Sequence, residues 1–251
     1  MDVRREAVLG TMGFTRWVQR NAPEPRQTEN VALPADRGRR LPTGARVTPI
    51  PVVRVQPPAR EAGTQPAEWE RLESEVSTCT RCALAAGRTR TVFGLGARDA
   101  RWMFVGEGPG AEEDRRGEPF VGRAGQLLDA MLAAIGLARR QVYIANVVKC
   151  RPPGNRDPLP EEADACWPYL RSQIAWVNPA LVIALGAVAA RRLLGVEDSL
   201  GRLRGRVHEG PDGHALLVTY HPAYLLRNPA AKREAWQDLK LALATASPLL
   251  P

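Results

Sequence analysis

Lysine is nearly missing from this chain. It stands only at positions 149, 232 and 240, so the basic excess (Lys+Arg 35 against Asp+Glu 27, net +8) is carried by arginine. Long apolar runs are missing too: none approaches the ~20 residues of a membrane-spanning helix, and no secretory hydrophobic segment opens the chain. A protein of the cytoplasm with no membrane partner is the expectation. Cysteine occurs four times, and in a reducing compartment those four are not expected as disulfides. The glycine-rich stretch at 106–110 is not followed by the Gly-Lys-Ser/Thr of a P-loop, which excludes that mode of nucleotide chemistry. No internal repeat is present.

The 22 prolines are unevenly placed. Residues 1–20 can form a short helix, but from about Asn21 to Gln65 prolines scatter through a segment without apolar period. Such a composition cannot bury enough surface to offset ordering entropy, so 1–65 reads as a largely disordered arm. Eleven Arg against six acids give that arm a net +5, leaving about +3 for the remainder. Positive charge of this kind suits a polyanion, nucleic acid first.

From 66 to 247 the pattern is that of a folded domain with 44% apolar residues in the whole chain to draw on. Apolar runs at 101–105, 142–149 and 181–186 read as buried strands, and 206–218 as a hairpin. Helical spacing covers the residues after Pro66, then 126–135, 160–177 (with a kink possible at Pro168), the run after Gly186, and 232–246. Strands alternating with helices imply a three-layer α/β/α domain around a mostly parallel sheet.

Two constellations carry chemistry. Cys79 and Cys82 have chelating C-x2-C spacing, and Cys150 and Cys166 complete a set of four, which suits zinc or an iron–sulfur cluster alike. The second is the stretch GEGPGAEEDRRGEPFVGRAGQLL from Gly106 to Leu128, a strand-to-helix connection far longer than the usual two to six residues. In an open α/β sheet, ligands bind at the carboxyl ends of strands.

In order along the chain, C-x2-C, GEGPGAEED, EPFVGRAGQLL, NVVKCRPPGNR, the second-helix cysteine, ALG and HPAYLLR resemble the family 4 uracil-DNA glycosylases. The resemblance spans roughly 66–246. It implies a central four-stranded parallel sheet, and a [4Fe–4S] cluster held by Cys79, Cys82, Cys150 and Cys166. It implies an enzyme that flips uracil out of single- or double-stranded DNA and hydrolyses its glycosidic bond, because that bond is out of reach in the stack. Phe120 matches the aromatic that stacks on the base, Asn146 the residue that reads its edge, and Glu113 the gate against thymine's methyl. His221 matches the donor to uracil O2. Leu225, Leu226 and Arg227 match the minor-groove wedge, with Arg123, Arg151 and Arg156 as phosphate contacts.

One position departs from related families, which carry Asp or Asn where Gly108 stands here; Glu107 or Asn155 then position the water. No lysine sits in a site motif as an imine nucleophile, so a monofunctional hydrolase is expected. A relative that traps uracil-DNA through a histidine in an inserted loop is disfavoured, because the 151–165 loop has no histidine. A sister family of broader base choice lacks the GEGPG form. The alternative from another class is a catalytically silent cluster-bearing DNA-binding or scaffold protein, tethered through its arm to a replication or repair protein. The enzyme is expected to act as a monomer in association with the nucleoid.

Overall fold

A computed structural model of the chain describes residues 66–246; the arm expected over 1–65, and Ser247 at the expected end of the domain, lie outside the described residues. Six strands make one sheet: β1 (Leu95–Gly96), β2 (Trp102–Gly106), β3 (Tyr143–Asn146), β4 (Leu181–Leu185), β5 (Val207–Glu209) and β6 (Ala215–Thr219). Their order is β1-β3-β2-β4-β6-β5. The four central strands are parallel. Short antiparallel strands flank them, β1 on β3 and β5 on β6, the latter pair being the expected hairpin. The expected four-stranded parallel core is therefore present, and the edges raise the count to six. β1 is two residues long and has no periodicity by which a sequence could reveal it.

The central strands read as continuous apolar runs because both of their faces are covered. Alternation sends Met103 and Val105 to one face and Trp102 and Phe104 to the other. Against the first face lie α1 (Pro66–Ser77), α4 (Pro160–Val177) and α5 (Ala187–Leu194), contributing Trp69, Leu170, Ile174 and Ala190. Against the second lie α3 (Arg123–Ala134), α7 (Pro222–Arg227) and α8 (Lys232–Ala246), contributing Leu128, Met131, Leu225 and Leu239. Two short helices, α2 (Ala111–Arg116) and α6 (Leu200–Leu203), sit in the connections. Pro168 lies within α4, which runs unbroken from Pro160, placed where its missing N–H costs nothing, to the left-handed Asn178.

The chain leaves β2 for β3 on one side and then crosses to β4 on the other. That reversal opens a crevice at the carboxyl ends of β2 and its neighbours, the switch point where α/β sheets place ligands.

Candidate active site

A cavity of about 590 Å³ occupies that crevice. Every parallel strand supplies part of its wall from the carboxyl end: Glu107 and Gly108 after β2, Asn146 closing β3, Gly186 after β4, Tyr220 and His221 after β6. Glu113, Phe120, Asn155, Arg156 and Arg227 join them. Residues far apart in sequence thus converge because parallel strands all end on the same side.

Asn146 is 2% exposed, and its carboxamide oxygen has no hydrogen-bond partner. A buried acceptor left unpaired costs on the order of 1–3 kcal/mol, so this atom is built for a donor that arrives with a ligand. Below it, the buried Lys149 ammonium donates to the Asn146 backbone oxygen at 3.0 Å and to Gln173 Oε1 at 2.6 Å, fixing the strand end. Lys149 is absent from the cavity wall. Gly106 lies so close under the site that a Cβ there would collide with the Asn146 side chain and the Phe120 ring. The glycine is the space.

Phe120 is 6% exposed and holds a left-handed backbone, φ 54°, which costs a non-glycine residue on the order of 1–3 kcal/mol. Its ring meets the His221 imidazole with centroids 5.5 Å apart. Glu113 steadies the same loop: one carboxylate oxygen accepts from the backbone N–H of Val121 (2.9 Å) and of Gly122 (3.1 Å).

His221 caps α7, its Nδ1 accepting from the Ala223 N–H at 3.1 Å. That bond leaves the proton to Nε2, so the ring is a donor. Burial first, then the Arg227 charge, bring its pKa down to about 4, keeping the imidazole neutral at neutral pH.

Glu107 faces a second carboxyl, Asp157, which also lines the cavity. Burial first, then the charge of and hydrogen bond to Asp157, push Glu107 up to about 7. Gly108 cannot carry a side chain without movement, since a Cβ would meet Val148 Cγ2 at 2.9 Å. Asn155 stands exposed at the rim with its side-chain oxygen taken by the Arg151 Nε at 2.7 Å.

One expected DNA contact needs correction. Leu225 is 1% exposed and belongs to the core under α7, because the helix turns it toward Leu128 and Met131, so it is no surface wedge. Its neighbours Tyr224 (39%) and Leu226 (36%) are the exposed ones. Arg156 bonds Glu162 at 2.8 and 2.7 Å, anchoring the 151–160 loop, and its side chain stays 38% exposed at the cavity wall. Arg123 remains exposed at the start of α3. Sequence reasoning missed Asp157, Tyr220 and Tyr224. An Asp in an Arg/Pro loop carries no signal of its own, and the stacking of Tyr220 on Tyr224 at 5.1 Å arises only once α7 forms.

The four cysteines line a separate small cavity with Arg81, Arg88 and Lys149. Among the described residues no three His, Cys, Asp or Glu side chains are grouped as for a metal ion. The donor set nonetheless suits a thiolate-bound centre: the Lys149 backbone N–H points at Cys166 Sγ and the Arg88 guanidinium at Cys150 Sγ, each at 3.3 Å. N–H groups and cations aimed at sulfur stabilise the negative charge of thiolate ligands. Burial pushes the Cys166 thiol to about 11 and the Cys150 thiol upward. Only a bound centre would deprotonate them fully.

Comparison with known proteins agrees with the geometry. Residues 93–240 match the uracil DNA glycosylase superfamily. A type-4 uracil-DNA glycosylase of Thermotoga maritima is 49% identical over 69% of this chain and 92% of its own length. Those of Archaeoglobus fulgidus (43%; 66% of this chain, 87% of the relative) and Pyrobaculum aerophilum (42%; 69% and 92%) follow. The chain belongs to the uracil-DNA glycosylase superfamily and, within it, to the type-4 family.

Proposed function

We propose that the protein is a monofunctional uracil-DNA glycosylase of base excision repair, and the unpaired Asn146 oxygen carries the reading. Uracil's N3–H is the donor that atom lacks, and the Asn146 amino group then donates to O4. Cytosine has a bare N3 and an amino group there, so both bonds fail. Phe120 stacks on the flipped base. The Nε2–H of His221 donates to O2 as negative charge develops there, and uracil leaves as an anion. Glu113, already holding the loop, closes the side where thymine's methyl would lie. Glu107, once deprotonated, orients the water that attacks the sugar, with Asp157 beside it. Tyr224, Leu226 and Arg227 fill the gap in the duplex, while Arg123 and Arg151 meet phosphates. The silent-scaffold alternative leaves a complete pocket without a use.

The substrate is DNA of the nucleoid, met in the cytoplasm by a monomer whose arm adds positive charge or holds a replication or repair partner. Incubation with a uracil-containing oligonucleotide should release free uracil and leave a strand that breaks only after hot alkali. A break without alkali would instead mean lyase chemistry.

Cys79, Cys82, Cys150 and Cys166 hold a [4Fe–4S] cluster in this reading. When bound, it supplies a thiolate-anchored link between chain segments. Protein purified under anaerobic conditions should be yellow-brown with about four irons per chain. Colourless protein with one zinc would contradict it. Replacing any one of the four by Ala should lower thermal stability before it alters chemistry.

The titratable wall of the pocket gives a pH expectation. Besides Glu107 and Asp157 it contains Glu113, Arg156, Tyr220, Tyr224, His221 and Arg227. His221 lies at about 4 and Tyr220, bonded to Glu234, is pushed to about 12, so Glu107, at about 7, is the group that changes near neutrality. Single-turnover rates should rise with pH through about 7, and Glu107→Gln should abolish the step. A raised carboxyl pKa also costs stability as pH climbs from its ordinary 4.5 to about 7. Glu107→Gln should therefore raise Tm at pH 8 and leave it unchanged at pH 4.

A further inference from the structure

Phe120 has a conformation its own sequence does not favour. The left-handed backbone (φ 54°) aims the ring into the cavity against His221, and something must hold the peptide units on either side of it. Glu113 holds the amides that follow, accepting from the Val121 and Gly122 N–H groups. A residue from another part of the chain grips the carbonyls. Arg139, in the turn between α3 and β3, donates through Nη1 to the Phe120 carbonyl oxygen at 3.1 Å and through Nη2 to the Pro119 carbonyl oxygen. The same Nη1 also pairs with Asp129 Oδ1 of α3 at 3.0 Å, and the Arg139 side chain is only 24% exposed. Arg139 is not part of the cavity wall.

The chemistry explains why arginine stands there. Two adjacent carbonyls offer a pair of acceptors that a planar guanidinium fork meets at once, and a lysine ammonium, a single point donor, does not. Asp129 fixes the fork from behind, tying it to the helix that packs on the sheet. The loop carrying Phe120 is thereby fastened at its amides by an acid and at its carbonyls by a base. Both groups come from outside the 119–122 turn.

We infer that Arg139 is a positioning residue for uracil excision: it never touches the base, but holds Phe120 in the strained geometry that presents its ring to the flipped uracil. The inference rests on the reading of this cavity as the uracil pocket. It differs from a general stabilising role in one testable respect, since its effect on the rate must pass through the Phe120 ring.

A double-mutant cycle separates the two. Arg139→Ala should slow single-turnover excision from a uracil-containing oligonucleotide by about 10- to 100-fold, the scale of a small misplacement at a reacting centre. Affinity for the abasic product oligonucleotide should stay within about twofold, whereas inhibition by free uracil should weaken in step with the rate. In a Phe120→Leu background, which keeps an apolar contact but no flat ring, Arg139→Ala should cost less than about twofold more. Arg140→Ala, exposed on the same turn, should leave the rate unchanged. Equal losses from Arg139→Ala in both backgrounds, or no loss in either, would overturn the inference. Should the alanine variant fail to fold, the cycle is run with Arg139→Lys, which keeps the charge beside Asp129 but not the fork, and the same non-additivity is required. A wild-type protein inactive on uracil would remove the pocket reading itself. An active one with additive losses removes only Arg139.

Discussion

Asn146→Asp should lower single-turnover uracil excision by about 10⁴-fold, the scale seen when a site loses a hydrogen bond it was built to make. The substitution keeps shape and leaves the β3 end in place, so folding should survive. It turns a group that donates and accepts into one that only accepts. Uracil O4 would then face an anion in a site where Asn146 is 2% exposed, and the lost donor cannot be replaced by water. Cytosine's amino group gains an acceptor, so a slow cytosine activity should emerge, far below the wild-type rate on uracil because its N3 still finds no donor. Rates on matched uracil and cytosine oligonucleotides check both halves. Near-normal uracil excision by the variant would show that the β3 end does not read the base.

His221→Ala should be the next most damaging change, slowing excision by about 10²–10³-fold, as for a lost oxyanion donor. Because the ring is neutral down to about pH 4, its contribution is a hydrogen bond from Nε2 rather than a full charge. That bond strengthens only as charge moves onto O2, so the loss should appear in the rate and hardly in affinity for abasic DNA. The rate ratio between wild type and His221→Ala should also stay level from about pH 6 to 8, well above the imidazole's titration. A ratio that grew toward acidic pH would mean that the working form is the imidazolium.

Much of this site could be read from residue order, and the parts that could not have physical reasons. Asn146 and His221 stand at the ends of β-runs, and strand ends in a parallel sheet share one side, so their meeting follows from alternation of strands and helices alone. Phe120 was legible as an aromatic in a long glycine-rich connection, but its left-handed backbone was not. The partners that hold it, Glu113 and Arg139, come from α2 and from the turn before β3. Asp157 and Glu107 come together only when the 151–160 loop folds back over β2, an approach fixed by Arg156 gripping Glu162. Leu225 shows the opposite failure. A short motif gives residue types, but α7 decides which of three consecutive side chains faces the core, and it buries the first. The two-residue β1 and three-residue β5 escaped strand-run reading for want of length, though the hairpin containing β5 was visible from its turn.

On this reading the cavity recognises uracil through the unpaired Asn146 carboxamide oxygen. The most direct test sets purified protein against oligonucleotides identical but for uracil, cytosine or thymine at one position, with abasic sites counted after alkali. Abasic sites are expected in the uracil strand and none above background in the other two. Release of cytosine at a rate comparable to uracil, or no release of uracil at all, would contradict that reading.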